Sequence, residues 1–139
     1  MEFLSFEMRV QLAVGAALEV DPKAVLHEVT MHSDYACLRC VFSGKNGETI
    51  TVKVDQDNEV YVRTNSWAWE ALPIEWPTSL SYSQARSLFD EKFPKTSWST
   101  VVLRKSSQEP HLGSEYVFTV AKGVVVVDIP TNKVYMLSR

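Results

Sequence analysis

The sequence predicts an α+β fold in which one unit, a helix followed by an antiparallel four-strand meander, occurs twice in tandem. Three observations predict it. Residues from about Phe6 to Arg63 and from about Ser81 to Leu137 carry one order of patterns, and repetition in fixed order marks a duplicated scaffold. In each stretch apolar residues recur first at helical spacing, then in short runs of β-branched and aromatic residues. An Asp-bearing turn, at Asp55 and again at Asp128, precedes the closing strand of each stretch. The division expected is residues 1–64 for the first unit, 65–79 for a Trp-rich connector and 80–139 for the second unit.

In the first unit Phe3, Phe6, Val10, Ala13, Val14 and Ala17 follow the i, i+3, i+4, i+7 spacing of a helix face, with Glu7, Arg9 and Gln11 between them. The helix should stop near Val20-Asp21-Pro22, since the residue before proline is pushed out of the helical region. Ala24–His32 and Tyr35–Ser43 are rich in strand formers. Gly44-Lys45-Asn46-Gly47 supplies a hairpin turn in which glycine and asparagine tolerate positive φ. Glu48–Val54, the turn Asp55–Asn58 and Glu59–Arg63 complete the meander.

The second unit opens on Ser81-Tyr82-Ser83-Gln84, a capping box in which a Ser hydroxyl and a Gln side chain satisfy free helix-start donors. Tyr82, Ala85, Leu88 and Phe89 form its apolar stripe, and Pro94 closes it. Strands are expected at Trp98–Lys105, Ser114–Ala121, Val124–Ile129 and Lys133–Leu137, with Pro130-Thr131-Asn132 as the last turn. The run Val124–Val127 is apolar at every position, as in a central strand covered on both faces. The loop Ser106–Gly113 is longer than its counterpart Ser33-Asp34. The two sheets are expected either to join edge to edge or to pack through the connector.

The second unit resembles the PepSY family. The residues that carry the resemblance are Leu80-Ser81-Tyr82-Ser83-Gln84-Ala85 opening a helix, Phe93-Pro94 closing it, Tyr116 in a middle strand, and Val127-Asp128-Ile129-Pro130-Thr131-Asn132-Lys133-Val134. Asn132 stands where the family usually has glycine, and asparagine also tolerates the left-handed region. The first unit matches weakly, through Val54-Asp55-Gln56-Asp57-Asn58-Glu59-Val60. The resemblance implies cystatin-like α+β units, and the family is named for a peptidase-inhibiting role. The Gln-x-Val-x-Gly loop of true cystatins is absent, so inhibition of papain-type proteases is not expected.

The chain has 139 residues, enough for one compact domain or two small fused halves, with 45% hydrophobic and 22% charged residues. No stretch approaches the roughly 18 apolar residues of a membrane-spanning helix. Glu2, Glu7 and Arg9 break up the apolar start, which therefore lacks a secretory pattern, and a cytoplasmic location is expected. Net charge is −3, but Met1–Glu70 holds six Lys/Arg against eleven Asp/Glu, while Ala71–Arg139 holds eight against six. No basic cluster suits a phosphate backbone, so nucleic acid is not an expected partner, and the acidic first half would suit a basic protein.

No catalytic constellation emerges from the motifs. Cys37-Leu38-Arg39-Cys40 is a CxxC, but strand alternation sends positions three apart to opposite faces and places Cys40 in the core. His27, His32 and His111 show no ligand spacing, and His32 with Asp34 reads as ordinary turn chemistry. Five glycines leave no phosphate loop, and there is no GxSxG elbow. Asp55 and Asp128 recur at equivalent turns, which favours backbone capping over a carboxylate pair. No cofactor and no metal are expected.

The connector holds Trp67, Trp69, Leu72, Ile74 and Trp76, with Glu70 and Glu75 alongside. The tryptophans are expected to fill the seam between the units, or else to form a binding surface. The candidate protein-binding residues are Trp67, Trp69, Glu70, Trp76, Asp57 and Glu59. The function expected is a non-catalytic protein-binding module, inhibitory or regulatory, monomeric or dimerised by edge-strand pairing. Alternatives are an immunity protein neutralising a basic toxin, and a pocket protein with a small-molecule or enzymatic role.

Overall fold

The computed structural model describes residues 4–68, 72–106 and 113–138. Phe3, Trp69, Glu70, His111 and most of the expected loop at 106–113 lie outside the described residues. Chain order is α1 (Phe6–Val20), β1 (Val25–His32), β2 (Cys37–Ser43), β3 (Thr49–Asp55), β4 (Val60–Asn65), α2 (Tyr82–Lys92), β5 (Thr100–Lys105), β6 (Ser114–Val120), β7 (Gly123–Asp128) and β8 (Val134–Ser138). The class is α+β: the described residues form two helices and an eight-stranded antiparallel sheet in the order β4-β3-β2-β1-β5-β6-β7-β8.

Local chemistry sets most boundaries. Ser5 caps α1 by accepting from Met8 N–H at 3.2 Å, and Asp21 ends it. Ser81 and Gln84 form the expected capping box on α2. β2 begins two residues later than expected because Tyr35 sits in the left-handed region, at φ 59°, within the β1–β2 turn. β4 runs on to Asn65, past Arg63. Asp55 accepts from the N–H of Asp57 and of Glu59, both at 2.9 Å, and Asp128 accepts from Thr131 N–H at 3.2 Å. Both aspartates thus serve their turns, while Asn58 and Asn132 take the positive φ each turn needs.

Alternation along the strands divides the sheet into two faces. Val29, Met31, Leu38, Cys40, Val52, Val54, Leu103, Tyr116, Phe118 and Val127 point to the face covered by both helices. Cys40 is fully buried there and desolvation pushes its thiol pKa up, whereas Cys37 faces the other way. The other face carries Arg39, Thr51, Lys53, Tyr61 and Arg63 in one half and Arg104, Glu115, Val117 and Val126 in the other. Val126 is buried on that face, but β7 is the strand next to the edge and not a central strand under two layers of helix. Its cross-strand neighbours there are Val117 and Tyr135.

The halves join edge to edge, through the β1–β5 ladder from Glu28↔Arg104 to His32↔Thr100. Above that ladder Phe6 of α1 stacks on Tyr82 of α2, with centroids 4.7 Å apart, and Tyr116 and Phe118 approach the stack from β6. Rings of this size bury roughly 150–250 Å² each, so this cluster fixes the two helices to one core. Trp67 plays no part in the seam. The residue is 77% exposed, and Trp76 only leans on the core, with Nε1 donating to Gln11 Oε1 at 3.4 Å. Arg9 lies in the core and not on the polar side of α1: its Nη2 donates to Val54 O at 2.8 Å and Asp55 O at 3.0 Å.

Candidate functional site

Among the described residues strand β4 forms one edge of the sheet and lies next to β3 alone. Its register runs from Val54↔Val60 to Thr49↔Asn65, and Asp55 N–H donates to Glu59 O at 3.0 Å, closing the hairpin. In an antiparallel pair, residues that exchange both backbone bonds alternate with residues that exchange none. Tyr61, Arg63 and Asn65 therefore bond to β3, while Val60, Val62 and Thr64 turn their N–H and C=O groups outward. The side chains follow the same alternation. Val60, Val62 and Thr64 lie on the helix face, and Tyr61, Arg63 and Asn65 on the open face.

This edge is exposed along its length. Val60, Tyr61 and Val62 are 36%, 53% and 42% exposed. An edge with free backbone groups and apolar side chains is a template for pairing with another chain. The Tyr61 hydroxyl donates to Glu59 Oε2 at 3.1 Å and to Asp55 Oδ2 at 3.3 Å. Those carboxylates, Glu59 first, hold its proton above the usual phenol range. At the far end Thr49 Oγ1 donates to Trp67 O, fixing the backbone from which the exposed indole projects.

The structure brings three of the six sequence-predicted residues to this edge. Asp57 and Glu59 stand at its start and Trp67 just beyond its end, separated by a strand of roughly 20 Å. Trp76 is elsewhere, against α1, in a connector anchored by Ile74 N–H donating to Leu26 O at 3.0 Å. Trp69 and Glu70 lie outside the described residues. Sequence reasoning missed Arg39, Lys53, Tyr61, Val62 and Arg63. Alternation in β2, β3 and β4 would have put the four polar ones on one face, had the register been known.

Several acidic side chains of the first half accept from backbone N–H groups. Asp21 accepts from Lys23 N–H at 2.9 Å and Lys45 N–H at 2.8 Å, and Glu7 accepts from Tyr82 N–H at 2.7 Å. The N–H bonds from Lys45 and Lys23 hold the Asp21 carboxyl below its usual range. Asp34 accepts from Ala36 N–H at 3.0 Å. His27 is buried, with Nε2 2.7 Å from Ser43 Oγ, at the bulge in β1. A groove of about 620 Å³ runs between α2 and β8 past Leu88, Glu91, Lys92 and Tyr135. Lys92 there donates to Val134 O at 2.6 Å. Among the described residues no group of three or more His, Cys, Asp or Glu could hold a metal ion. No helix among them is long and apolar enough to cross a membrane.

No family model matches the chain, and no curated protein matches its sequence. Its fold is similar to the crystal structure of a putative lipoprotein from Clostridium difficile 630, with a TM-score of 0.66. That similarity covers 88% of this chain and 87% of the other, at 14% sequence identity, and concerns the fold alone.

Proposed function

We propose that the chain is a non-catalytic protein-binding module, inhibitory or regulatory in role, built from two PepSY-like, cystatin-like units. The observation that carries the binding role is the exposed β4 edge, with its outward backbone at Val60, Val62 and Thr64 and Trp67 at its end. Backbone pairing supplies affinity at such an edge, and the flanking side chains supply choice of partner. Support for the unit reading comes from the second half. The Ser81 cap, the buried Tyr116 whose hydroxyl donates to Leu80 O at 2.8 Å, and the Asp128 turn are the positions that carry the PepSY resemblance.

The test is affinity capture with the wild-type chain, Trp67→Ser, and Leu137→Ser on the opposite edge. The reading expects one stoichiometric protein, weakened by Trp67→Ser and unchanged by Leu137→Ser. Replacing His32 or Cys37 should leave that binding as it was. A partner indifferent to Trp67, or a turnover activity lost with His32 or Cys37 in a folded chain, would overturn it.

A further inference from the structure

The two edges of the sheet are not equivalent. On β8, Asp128 N–H donates to Lys133 O at 2.8 Å, so alternation turns the backbone of Val134, Met136 and Ser138 outward. Lys92 of α2 donates to Val134 O from outside, and a charged side chain placed over an edge guards it against pairing. Strand β4 carries no such guard among the described residues. Its outward backbone lies beside exposed apolar side chains, Val60 and Val62 themselves and Leu12 of α1. Leu12 stands about one turn on from Arg9, whose guanidinium reaches the end of β3, and so falls on the β4 side of α1.

Charge along this strand is arranged symmetrically. Glu59 and Arg63 are both exposed on the open face, two residues before and two residues after Tyr61, with opposite signs. Tyr61 holds Glu59 beside it, its hydroxyl donating to Oε2 at 3.1 Å. Arg63 forms no ion pair among the described residues. It shares a groove of about 360 Å³ with Lys53 and Arg39, so a carboxylate arriving there enters a positive field. Such a strand is complementary to itself, because a two-fold axis through Tyr61 exchanges the two signs.

We infer that two copies of this chain pair through β4, antiparallel about a two-fold axis at Tyr61, and join their eight-stranded sheets into one continuous sheet. Backbone parity permits this centre. Val60 and Val62 turn outward, so Val60 of each copy exchanges backbone bonds with Val62 of the other, and Tyr61 falls at a non-bonded position, where side chains approach most closely. The two Tyr61 rings meet across the axis on the open face, flanked on each side by Glu59 of one copy against Arg63 of the other. On the helix face Val60 meets Val62. Other centres do worse. A centre between residues sets outward backbone against inward backbone and forms no ladder. About Val62 or Thr64, Arg63 faces Tyr61 or Asn65, and no charges are matched. About Arg63, the two guanidinium groups oppose each other. About Val60, each strand runs into the turn at Asn58, which sits at φ 63°. A segment of another protein would have to bring both charges itself, whereas this chain already holds them, equally spaced about the axis as an isologous interface requires. The guarded β8 edge stops further addition, so the assembly closes at two. Self-pairing goes beyond the capture reading: a second copy and a captured partner compete for one edge, and the dilute monomer is the form whose outward amides are free.

The experiment is sedimentation equilibrium of the full chain at rising concentration. A ladder this short is a small, transient interface, so dimer should replace monomer between about 10 μM and 1 mM. Arg63→Glu or Glu59→Arg alone turns both attractive pairs into repulsive ones and should weaken the dimer at least about tenfold. An equimolar mixture of the two variants should restore it as a heterodimer, since the carboxylates of one then face the cations of the other. That recovery also shows both variants folded. Val62→Pro, which removes an outward N–H, should leave a monomer whose thermal unfolding stays cooperative. A wild type still monomeric at the highest concentration, a dimer indifferent to both reversals, or reversals that do not recover on mixing would each overturn the inference. A monomeric wild type that captures a partner lost with Trp67→Ser would overturn self-pairing and leave the protein-binding reading standing.

Discussion

Two adjacent prolines distinguish the outward from the inward residues of β4. The Val62 N–H has no partner in the β3–β4 ladder, whereas the Arg63 N–H faces Thr51 O. Proline at an outward edge position removes a donor that was pointing at solvent, and edge strands tolerate it there. Val62 is already 42% exposed, so Val62→Pro loses only part of one side chain's packing, about 0.5–1 kcal/mol. Arg63→Pro loses a ladder bond worth about 1 kcal/mol. It also leaves the carbonyl of half-buried Thr51 without its donor, at about 1–2 kcal/mol more. The expected difference between the variants is therefore roughly 2 kcal/mol. In a urea titration with a slope of about 2 kcal/mol/M, the midpoints should lie about 1 M apart, Arg63→Pro unfolding first. If Val62→Pro were the less stable, the register of β4 would be displaced by one residue. The outward set would then be Tyr61 and Arg63, and β4 would not present Val60, Val62 and Thr64 to a partner.

Two further predictions concern the scaffold. The Tyr116 hydroxyl donates to Leu80 O, sits 3.2 Å from Thr78 Oγ1, and is driven by burial to a pKa of about 12. Tyr116→Phe should cost about 1–2 kcal/mol in denaturant titration, while binding at β4 persists. Asp21 joins the end of α1 to the β2–β3 turn, with its carboxyl pKa depressed in the folded chain. A depressed carboxyl contributes stability that is present above its unfolded value, about pH 4, and lost as pH falls through the folded value. The melting-temperature gap between wild type and Asp21→Asn should therefore be widest near neutral pH and close in stronger acid. A gap that stays constant down to pH 2 would refute this.

Much of the fold is legible in the sequence because its signals are local. Ser81 and Gln84 announce a helix start, Asp55 and Asp128 announce turns, and helical spacing finds Val10, Ala13 and Ala17 before any tertiary contact is known. The edge-to-edge joint through β1 and β5 is not legible, since pairing between distant strands leaves no local trace. Arg9 reads as a polar-side residue because its partners, Val54 O and Asp55 O, are carbonyls forty-five or more positions away. Trp67 and Trp76 look alike in sequence, yet one projects into solvent and the other leans on α1. Composition alone made both candidates for the seam. The basic residues Arg39, Lys53 and Arg63, on one face of the sheet, were hidden by the first half's net negative charge, part of which, at Asp21 and Glu7, is held on backbone N–H groups elsewhere.

Amide hydrogen exchange on the chain, free and with its captured partner, tests the β4 edge most directly. In the free chain Tyr61 and Arg63 should exchange slowly and Val60, Val62 and Thr64 quickly, following the ladder. On binding, those three amides should slow at least about tenfold, as new backbone bonds close over them. Protection that appears elsewhere, with Val60, Val62 and Thr64 still exchanging as in the free chain, would contradict β4 as the site of binding.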